Sequence, residues 1–421
     1  MVSVAVVGAG PAGLIAADIL ARRGIEVSVL DKDANPGERK PCAGMLRDAA
    51  VRMFGVPTDL ASRRITGIRV VLPNHRVEEV EYGRAIFWNF ERGILGRHLI
   101  DRVRKSGGRV HIGTRVVDVG ILGNKTSVRG YELTFQCPDN RMKKTKTGLV
   151  IAADGVNSIV VKKTGVYRHL EPNQVGQCVQ YQMQIDNQKI EKRIGDMNEI
   201  YYGQDVSPFG YAWIVPKDGL VTVGVGALLS AVKVSLKYYL DYLIRKHPIA
   251  SGKLAGCRIL RLESALCPLS GLVSPTYGDG LVVAGDAAGH CSAISGEGMY
   301  YSMVAGAIAG KVCSDAVKSG DLSASFLRKY EKAWRRVIGS DMKWGKRIQS
   351  VALRRGFMSG AFSTDSLFKS RLTKRVADIL SGIKPYKEAL IKAIPEFLIM
   401  KMAEAVGTPR VDDATSYAGN C

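Results

Sequence analysis

The stretch Gly8-Ala9-Gly10-Pro11-Ala12-Gly13 constrains this chain more than any other, because of what flanks it. Ser3-Val4-Ala5-Val6-Val7 before it is a short β-branched strand. A helix-forming segment after it ends near Arg23-Gly24, and Val27-Ser28-Val29-Leu30-Asp31 supplies a second strand closing on an acid. Strand, glycine turn, helix, strand and acid in that order are what a dinucleotide-binding βαβ unit requires. Gly8 permits the tight turn. Gly10 lets a pyrophosphate approach the backbone at the positive end of the helix, and Gly13 lets helix and strand pack closely. Asp31 is placed to accept hydrogen bonds from ribose hydroxyls.

Two later stretches decide which dinucleotide. Val150-Ile151-Ala152-Ala153-Asp154-Gly155 is an apolar strand ending in Asp-Gly, and Leu281-Val282-Val283-Ala284-Gly285-Asp286 is another, whose Asp286 suits the hydroxyls of a ribityl chain. The second runs into Gly296-Glu297-Gly298-Met299, which reads as a helix start. Free N–H groups there would favour negative charge on the pyrimidine edge of a reduced flavin. Either Asp-Gly pair alone fits a surface turn; all three stretches in chain order point to FAD rather than NAD.

A chain of 421 residues with 46% apolar and 7% aromatic residues is long enough for two or three domains and is neither disordered nor fibrous. Its eight cysteines (42, 137, 178, 257, 267, 291, 313 and 421) are scattered without CxxC pairs, so neither a metal site nor a disulfide framework is expected. No apolar run reaches membrane-spanning length, and the expected location is the cytoplasm, at most peripheral at the inner face of the cell membrane. The net charge of +21 suits solubility, and equally suits an anionic membrane surface or an acidic redox partner. Nucleic acid is not expected, since no recognition motif accompanies the charge.

One stretch carries an unusual aromatic load: Ser207-Pro208-Phe209-Gly210-Tyr211-Ala212-Trp213-Ile214-Val215-Pro216-Lys217. As a strand it places Tyr211, Trp213 and Val215 on one face, with Tyr211 and Trp213 about 6–7 Å apart. This is either sheet core or the wall of a site for an extended apolar chain.

Taken together, these stretches resemble the flavoprotein group that includes para-hydroxybenzoate hydroxylase and geranylgeranyl reductase, over roughly the first 330 residues, and are most similar to the geranylgeranyl reductases. The likeness is carried by Lys40-Pro41-Cys42-Ala43-Gly44-Met45-Leu46, by Gly285-Asp286-Ala287-Ala288-Gly289 with Ser295-Gly296-Glu297-Gly298-Met299, and by the aromatic strand, which is similar to the family's Pro-x-x-Tyr-x-Trp-x-Phe-Pro sequence. Departures are Val215 in place of Phe, Ala43 where glycine is usual, and Ala293 where the family often has proline. The resemblance implies FAD contacts at Ala12, Lys32, Cys42, Ala43, Gly44, Met45, Arg97 and, through its backbone, Val116. It places Tyr211, Trp213, Val215 and Pro216 beside a polyprenyl lipid. Cys42 is open to two roles, proton relay or packing against the ring. Cys291 also approaches the cofactor sequences, so a Cys42–Cys291 pairing is conceivable, and His290 has no identifiable carboxylate partner.

The expected fold is α/β: an FAD-binding Rossmann-like domain of the glutathione reductase or hydroxylase type, assembled from 1–75, 90–165 and 275–335. An antiparallel substrate sheet comes from 76–89 and 166–274, and a helical region from 336–421. Between Arg328 and Arg355 lie Lys329, Lys332, Arg335, Arg336, Lys343, Lys346, Arg347 and Arg354 with Trp334 and Trp344, a pattern suited to anionic lipid or to a solvated face with the tryptophans turned inward. No second dinucleotide fingerprint follows, so ferredoxin, a reduced deazaflavin or NAD(P)H would dock transiently as electron donor. The function implied is FAD-dependent saturation of geranylgeranyl chains in ether-lipid precursors. The rivals are an aromatic-ring monooxygenase using NAD(P)H and a non-catalytic prenyl-binding protein.

Overall fold

A computed structural model describes residues 2–38, 41–124, 127–168, 170–354, 368–388 and 391. Lys40 and Arg355 lie outside the described residues, as does most of 389–421.

The β-branched strand Val2–Val7 sits inside an eight-stranded sheet, parallel to Met142–Ala152 on one side and Val27–Leu30 on the other. Leu281–Val283 extends the sheet beyond Met142–Ala152, and Arg109–His111 extends it beyond Val27–Leu30. Ser127–Gln136 pairs antiparallel with Met142–Ala152 and carries Arg115–Asn124 on its other side. Helix Pro11–Arg22 begins on a proline, whose missing N–H is not needed at a helix start. It packs against Met299–Ser319 at very short range. A side-chain carbon at Gly306 would lie 2.3 Å from the Ala12 carbonyl oxygen, and one at Gly310 would lie 2.8 Å from that of Ala16. Only hydrogen fits at these crossings, so the two helices that frame the turn are held backbone to backbone.

The second sheet has seven strands, ordered Arg258–Pro268, Val175–Gln184, Leu220–Leu228, Gly210–Pro216, Met197–Tyr201, Gly67–Val71 and Val77–Glu81. It departs from the expected antiparallel sheet at one junction, where Met197–Tyr201 runs parallel to Gly67–Val71. That strand, grouped with 1–75 from the sequence, lies in the seven-stranded sheet because Ile68 and Val70 bury against Ile200 and Trp213. On one face Ala212 and Ile214 pack with Leu236, Leu240 and Leu243 of helix Leu236–Arg245. On the other, Trp213 and Val215 meet Leu380 of helix Phe368–Ser381.

The C-terminal part is helical over Ala324–Val337, Gly339–Arg354 and Phe368–Ser381. No described helix is long and apolar enough to cross a membrane. Trp334 does not face outward: it is fully buried, its indole N–H donates to Thr276 Oγ1 at 2.9 Å, and its ring meets His290 edge-on at 4.6 Å. Arg328, Lys329, Lys332 and Arg336 of the same helix are exposed.

Candidate functional site

A cavity of about 940 Å³ is lined by residues from both sheets and by the loops around them. The glycine turn shapes one part. Gly8 has φ +104°, and a side-chain carbon there would strike the Ala153 carbonyl at 2.2 Å; at Gly13 it would strike the Gly8 carbonyl at 2.0 Å. Gly10 has nothing within 4 Å of that position and lines the cavity, leaving room beside the N–H groups of the first helical turn. Asp31 closes the unit, accepting the Ala9 N–H at 2.6 Å and the Asp33 N–H at 2.8 Å.

Asp154 Oδ2 accepts the Ile159 N–H at 2.8 Å and that of Val160 at 3.3 Å, while Oδ1 is buried with no protein partner. Burial pushes this carboxyl above its ordinary range. An orphaned acceptor on a cavity wall is costly unless a ligand fills it, and a donor such as a hydroxyl would do so. A side-chain carbon at Gly285 would meet Ala12 Cβ at 2.9 Å, and one at Gly298 would meet Asp286 Oδ1 at 3.1 Å. The end of Leu281–Val283 and the start of Met299–Ser319 therefore converge on the fingerprint helix. The N-terminus of this 21-residue helix, with its partial positive charge, borders the cavity through Gly298 and Met299.

The loop Cys42 to Met45 also lines the cavity. Gly44 has φ +81° and would otherwise collide with the Phe90 carbonyl at 2.0 Å; its N–H donates to Cys42 Sγ at 3.4 Å. Ala12, Lys32, Val116, Gly155 and Asp286 line the same space. Arg97 does not; Arg92, five residues earlier on helix Arg92–Lys105, does, with a guanidinium nitrogen 3.1 Å from Met299 Sδ.

Tyr211 and Trp213 form a wall, their ring centroids 5.8 Å apart. The Tyr211 hydroxyl donates to the Ser295 carbonyl, tying the wall to the loop before the helix. The Trp213 indole lies over Gly224 and Gly226 of the neighbouring strand, and its N–H has no protein partner. Val215 and Pro216 do not line the cavity: Val215 is fully buried in the cluster of Ile68, Ile200, Trp213 and Leu380, and the Pro216 carbonyl accepts from the Asn89 amide at 2.9 Å.

Several groups were not foreseen from the sequence. Lys217, directly after the aromatic strand, is 2% exposed, and burial pulls its amine down to about 8, with Glu91 and Glu263 nearby acting the other way. A charge directly after an apolar strand was the available signal. Glu263 accepts from Gln180 Nε2 at 2.6 Å and from Arg261 Nε at 2.6 Å. Gln180 also reaches the Cys42 carbonyl at 3.4 Å. Arg47 is buried in an ion pair with Glu297, lies 3.2 Å from the Tyr301 hydroxyl and stacks over the Tyr300 and Tyr301 rings. Cys42 and Cys291 both line the cavity as free thiols, with no disulfide between them. His290 is structural: Nδ1 accepts the Gly285 N–H at 3.2 Å and holds the strand end in place.

Among the described residues, His75, Asp205 and His247 come close enough to suggest a metal site. His247 Nδ1, however, accepts the N–H groups of Ile249 and Ala250, both at 3.2 Å. Its proton therefore resides on Nε2, and that nitrogen has no lone pair to give.

Residues 1–221, just over half the chain, match the FAD binding domain family. The chain is 31% identical to the digeranylgeranylglycerophospholipid reductase of Methanococcus aeolicus, covering 83% of this chain and 87% of the relative. It is 32% identical to that of Methanosarcina acetivorans, covering 80% and 82%. A geranylgeranyl bacteriochlorophyll reductase-like protein from Thermoplasma acidophilum shares the fold, with TM-score 0.79 and 24% identity over 96% of this chain and 98% of that one. A flavin-dependent halogenase shares it too, at TM-score 0.65 and 17% identity over 94% and 78%. The glycine turn, the orphaned Asp154 oxygen and the bordering helix N-terminus fit FAD as the cofactor. With relatives of one name matching more than four fifths of its length, the chain belongs to the digeranylgeranylglycerophospholipid reductase family of FAD-binding flavoproteins.

Proposed function

We propose that this flavoenzyme saturates the double bonds of geranylgeranyl chains in membrane ether-lipid precursors of the archaeol type. The observation that carries the reading is that the FAD-fitting residues and the aromatic wall line one cavity, so a cofactor and an apolar chain would share it. The names of the relatives point to the same substrate class.

Isolated alkenes are electron-rich, so hydride delivery needs a proton placed on the less substituted carbon as positive charge grows on the other. Reduced FAD supplies the hydride when bound. The turn at Gly8 and Gly10 would hold the pyrophosphate, Asp31 the ribose, Asp154 and Asp286 polar hydroxyls, and the Gly298–Met299 helix start the ring edge carrying negative charge. Tyr211 and Trp213 would hold the chain flat and offer π faces to the nascent cation. Cys42, which lines the cavity, would hand over the proton, and Lys217 Nζ, beside the Cys42 to Gly44 loop, would restore it. The electron donor is a transient partner such as ferredoxin, a reduced deazaflavin or NAD(P)H. The exposed Arg328, Lys329, Lys332 and Arg336 would bring the protein to an anionic lipid surface. Failure to co-sediment with anionic liposomes at low salt would remove that last element.

The reading is tested by reducing the FAD-loaded protein without oxygen, adding a geranylgeranyl glycerolipid and following product mass. Stepwise gain of hydrogen pairs is expected. No mass change with lipid or free geranylgeranyl substrates at full FAD occupancy refutes it. Substrate-stimulated NAD(P)H oxidation in air would favour the monooxygenase instead.

A further inference from the structure

The turn over residues 292–297 leads from the strand Leu281–Val283 to the helix start at Gly298, and Ser295, Gly296, Glu297 and Gly298 line the cavity. It is closed on itself by two backbone hydrogen bonds: Ser292 N–H donates to the Glu297 carbonyl at 2.9 Å, and Gly296 N–H to the Ser292 carbonyl at 3.0 Å. From the cavity wall it receives the Tyr211 hydroxyl at the Ser295 carbonyl. Its other partners come from the C-terminal part of the chain, which the sequence sets apart from the cofactor.

Tyr386 is fully buried, and its hydroxyl lies 2.7 Å from Ser292 Oγ and 3.3 Å from Ser295 Oγ. The direction of these bonds follows from the lone pairs. Ser292 Oγ already accepts the N–H groups of Ile294 at 3.3 Å and Ser295 at 3.1 Å. A hydroxyl has two acceptor sites and one hydrogen, so the Ser292 hydrogen goes to the Tyr386 oxygen and the Tyr386 hydrogen goes on to Ser295 Oγ. Asp341 of helix Gly339–Arg354 holds Tyr386 itself, accepting its backbone N–H at 3.1 Å. The other oxygen of that carboxylate accepts the Tyr301 hydroxyl at 3.2 Å, from the helix that begins at Met299. Gln349 of the same C-terminal helix donates to the Ala293 carbonyl at 2.8 Å. The turn is thus held at Ser292, Ala293 and Ser295 by side chains from beyond the flavin-binding segments.

We propose that Tyr386 is a positioning residue for the flavin: by fixing Ser292 and Ser295 it sets the N–H groups of the Gly298–Met299 helix start against the ring edge that becomes negative on reduction. The C-terminal region is then part of the cofactor site. The inference rests on the placing of that edge at Gly298–Met299. Without the Tyr386 hydroxyl, the Ser292 O–H is left without its acceptor on a residue that has no exposure, and an unmade buried hydrogen bond drives rearrangement of the turn. Hydrogen bonds to a charged acceptor are the stronger ones and gain most from fixed donors. A displaced turn therefore weakens the hold on the reduced ring more than on the oxidised ring, whose edge carries no charge.

The test is an anaerobic reductive titration of the FAD-loaded full chain against a reference dye, without lipid, with the visible flavin spectrum recorded. Tyr386→Phe should lose about a tenfold preference for reduced over oxidised flavin, a midpoint about 30 mV more negative, and should alter the visible flavin band. Ser292→Ala cuts the same link from the other side and should move the midpoint the same way, so one of the two suffices if the other fails to fold. Tyr131→Phe is the control: its buried hydroxyl donates to the Asp279 carbonyl at 2.7 Å in the eight-stranded sheet, and its loss should lower the urea midpoint while leaving the flavin potential unchanged. A parent-like potential and spectrum in Tyr386→Phe and Ser292→Ala would overturn the proposal, whatever their stability. Gly298→Ala separates this failure from failure of the ring placement, because a carbon there lies 3.1 Å from Asp286 Oδ1 at the helix start itself. If Gly298→Ala alone shifts the potential, the ring is placed correctly and Tyr386 does not position it; if none of the three shifts it, the ring edge lies elsewhere.

Discussion

Replacing Gly224 with alanine puts a carbon 2.2 Å from Cζ2 and 2.4 Å from Cε2 of Trp213, and 2.8 Å from Cβ of Gln180. Non-bonded carbons settle at about 3.5–4.0 Å, so the indole must retreat by more than about 1 Å. Tyr211 stands on one side at 5.8 Å between centroids, so the indole can retreat only towards the cavity it lines, which would reshape the wall. Overpacking of this kind costs about 1–3 kcal/mol. Removing a glycine from a strand returns about 0.5–1 kcal/mol. The expected net loss is about 0–2.5 kcal/mol, centred at about 1.2, which is roughly an eightfold shift in the folding equilibrium. Gly252, in helix Ala250–Leu254 with nothing within 4 Å, is the control, and alanine there should leave stability unchanged or raise it. The assay is urea unfolding of both variants, with the tryptophan near-UV signal recorded on the folded state. Gly224→Ala should lower the midpoint at unchanged slope and alter the near-UV signal. A midpoint equal to the parent's with the same signal would show that Trp213 is not seated on Gly224, and the wall as described would be wrong.

Other consequences follow from buried charge. Arg47→Ala leaves Glu297 buried without its cation and should cost about 3–5 kcal/mol, read as a lowered urea midpoint; Glu297→Gln in the same background should recover part of it. Burial, with Arg335 nearby, lowers His290 to about 3 from an ordinary 6.5. The folded value lies below the unfolded one and the neutral form is favoured, so the stability is full above pH 6.5 and is lost as pH falls from 6.5 towards 3. From pH 7 to pH 5 the parent should lose about 2 kcal/mol more than His290→Gln, measured by urea midpoints. Lys217 is the opposite case. Its folded value of about 8 lies below the unfolded 10.5, and the charged form is the penalised one. The penalty is present below pH 8 and fades as pH rises from 8 to 10.5. Lys217→Met should therefore be more stable than the parent at pH 7, by about 3 kcal/mol at most, with the difference closing near pH 10.5. The same variant should slow lipid reduction while leaving FAD bound.

What was legible in the sequence was local. Gly8, Gly10, Gly13 and Asp31 lie within one βαβ unit, and their backbone demands are written into residue type. Gly285, Asp286 and Gly298 are legible for the same reason. The alternation around Tyr211 and Trp213 marked a strand face, but it did not say how deep the face goes. Val215 shares the face and yet is covered, because Ile200, Ile68 and Leu380 close over it. Pairings over long separations left no trace in the sequence. Cys178 and Cys267 line one cavity only because Val175–Gln184 pairs with Arg258–Pro268. The parallel contact of Gly67–Val71 with Met197–Tyr201 likewise brings together strands separated by much of the eight-stranded sheet. Trp334 sat in a basic stretch that suits either a lipid-facing helix or a solvated face with the tryptophans turned inward, and the choice of the second at Trp334 follows from Thr276 and His290 on distant segments. The shift from Arg97 to Arg92 at the cavity is a matter of helix phase, which no motif records.

The central claim is that a cofactor and a prenyl chain occupy one cavity, with the chain lying along Tyr211 and Trp213. The most direct measurement is an anaerobic crystal structure of the FAD-loaded protein with a geranylgeranyl glycerolipid. The account predicts ordered isoprenoid density against the two rings, on the face that meets Ser295 to Met299, with the flavin in van der Waals reach of a double bond. A lipid seated on the Ala212 and Ile214 face, or a cofactor lying elsewhere than beside Gly10, Asp154 and Gly298, would contradict it.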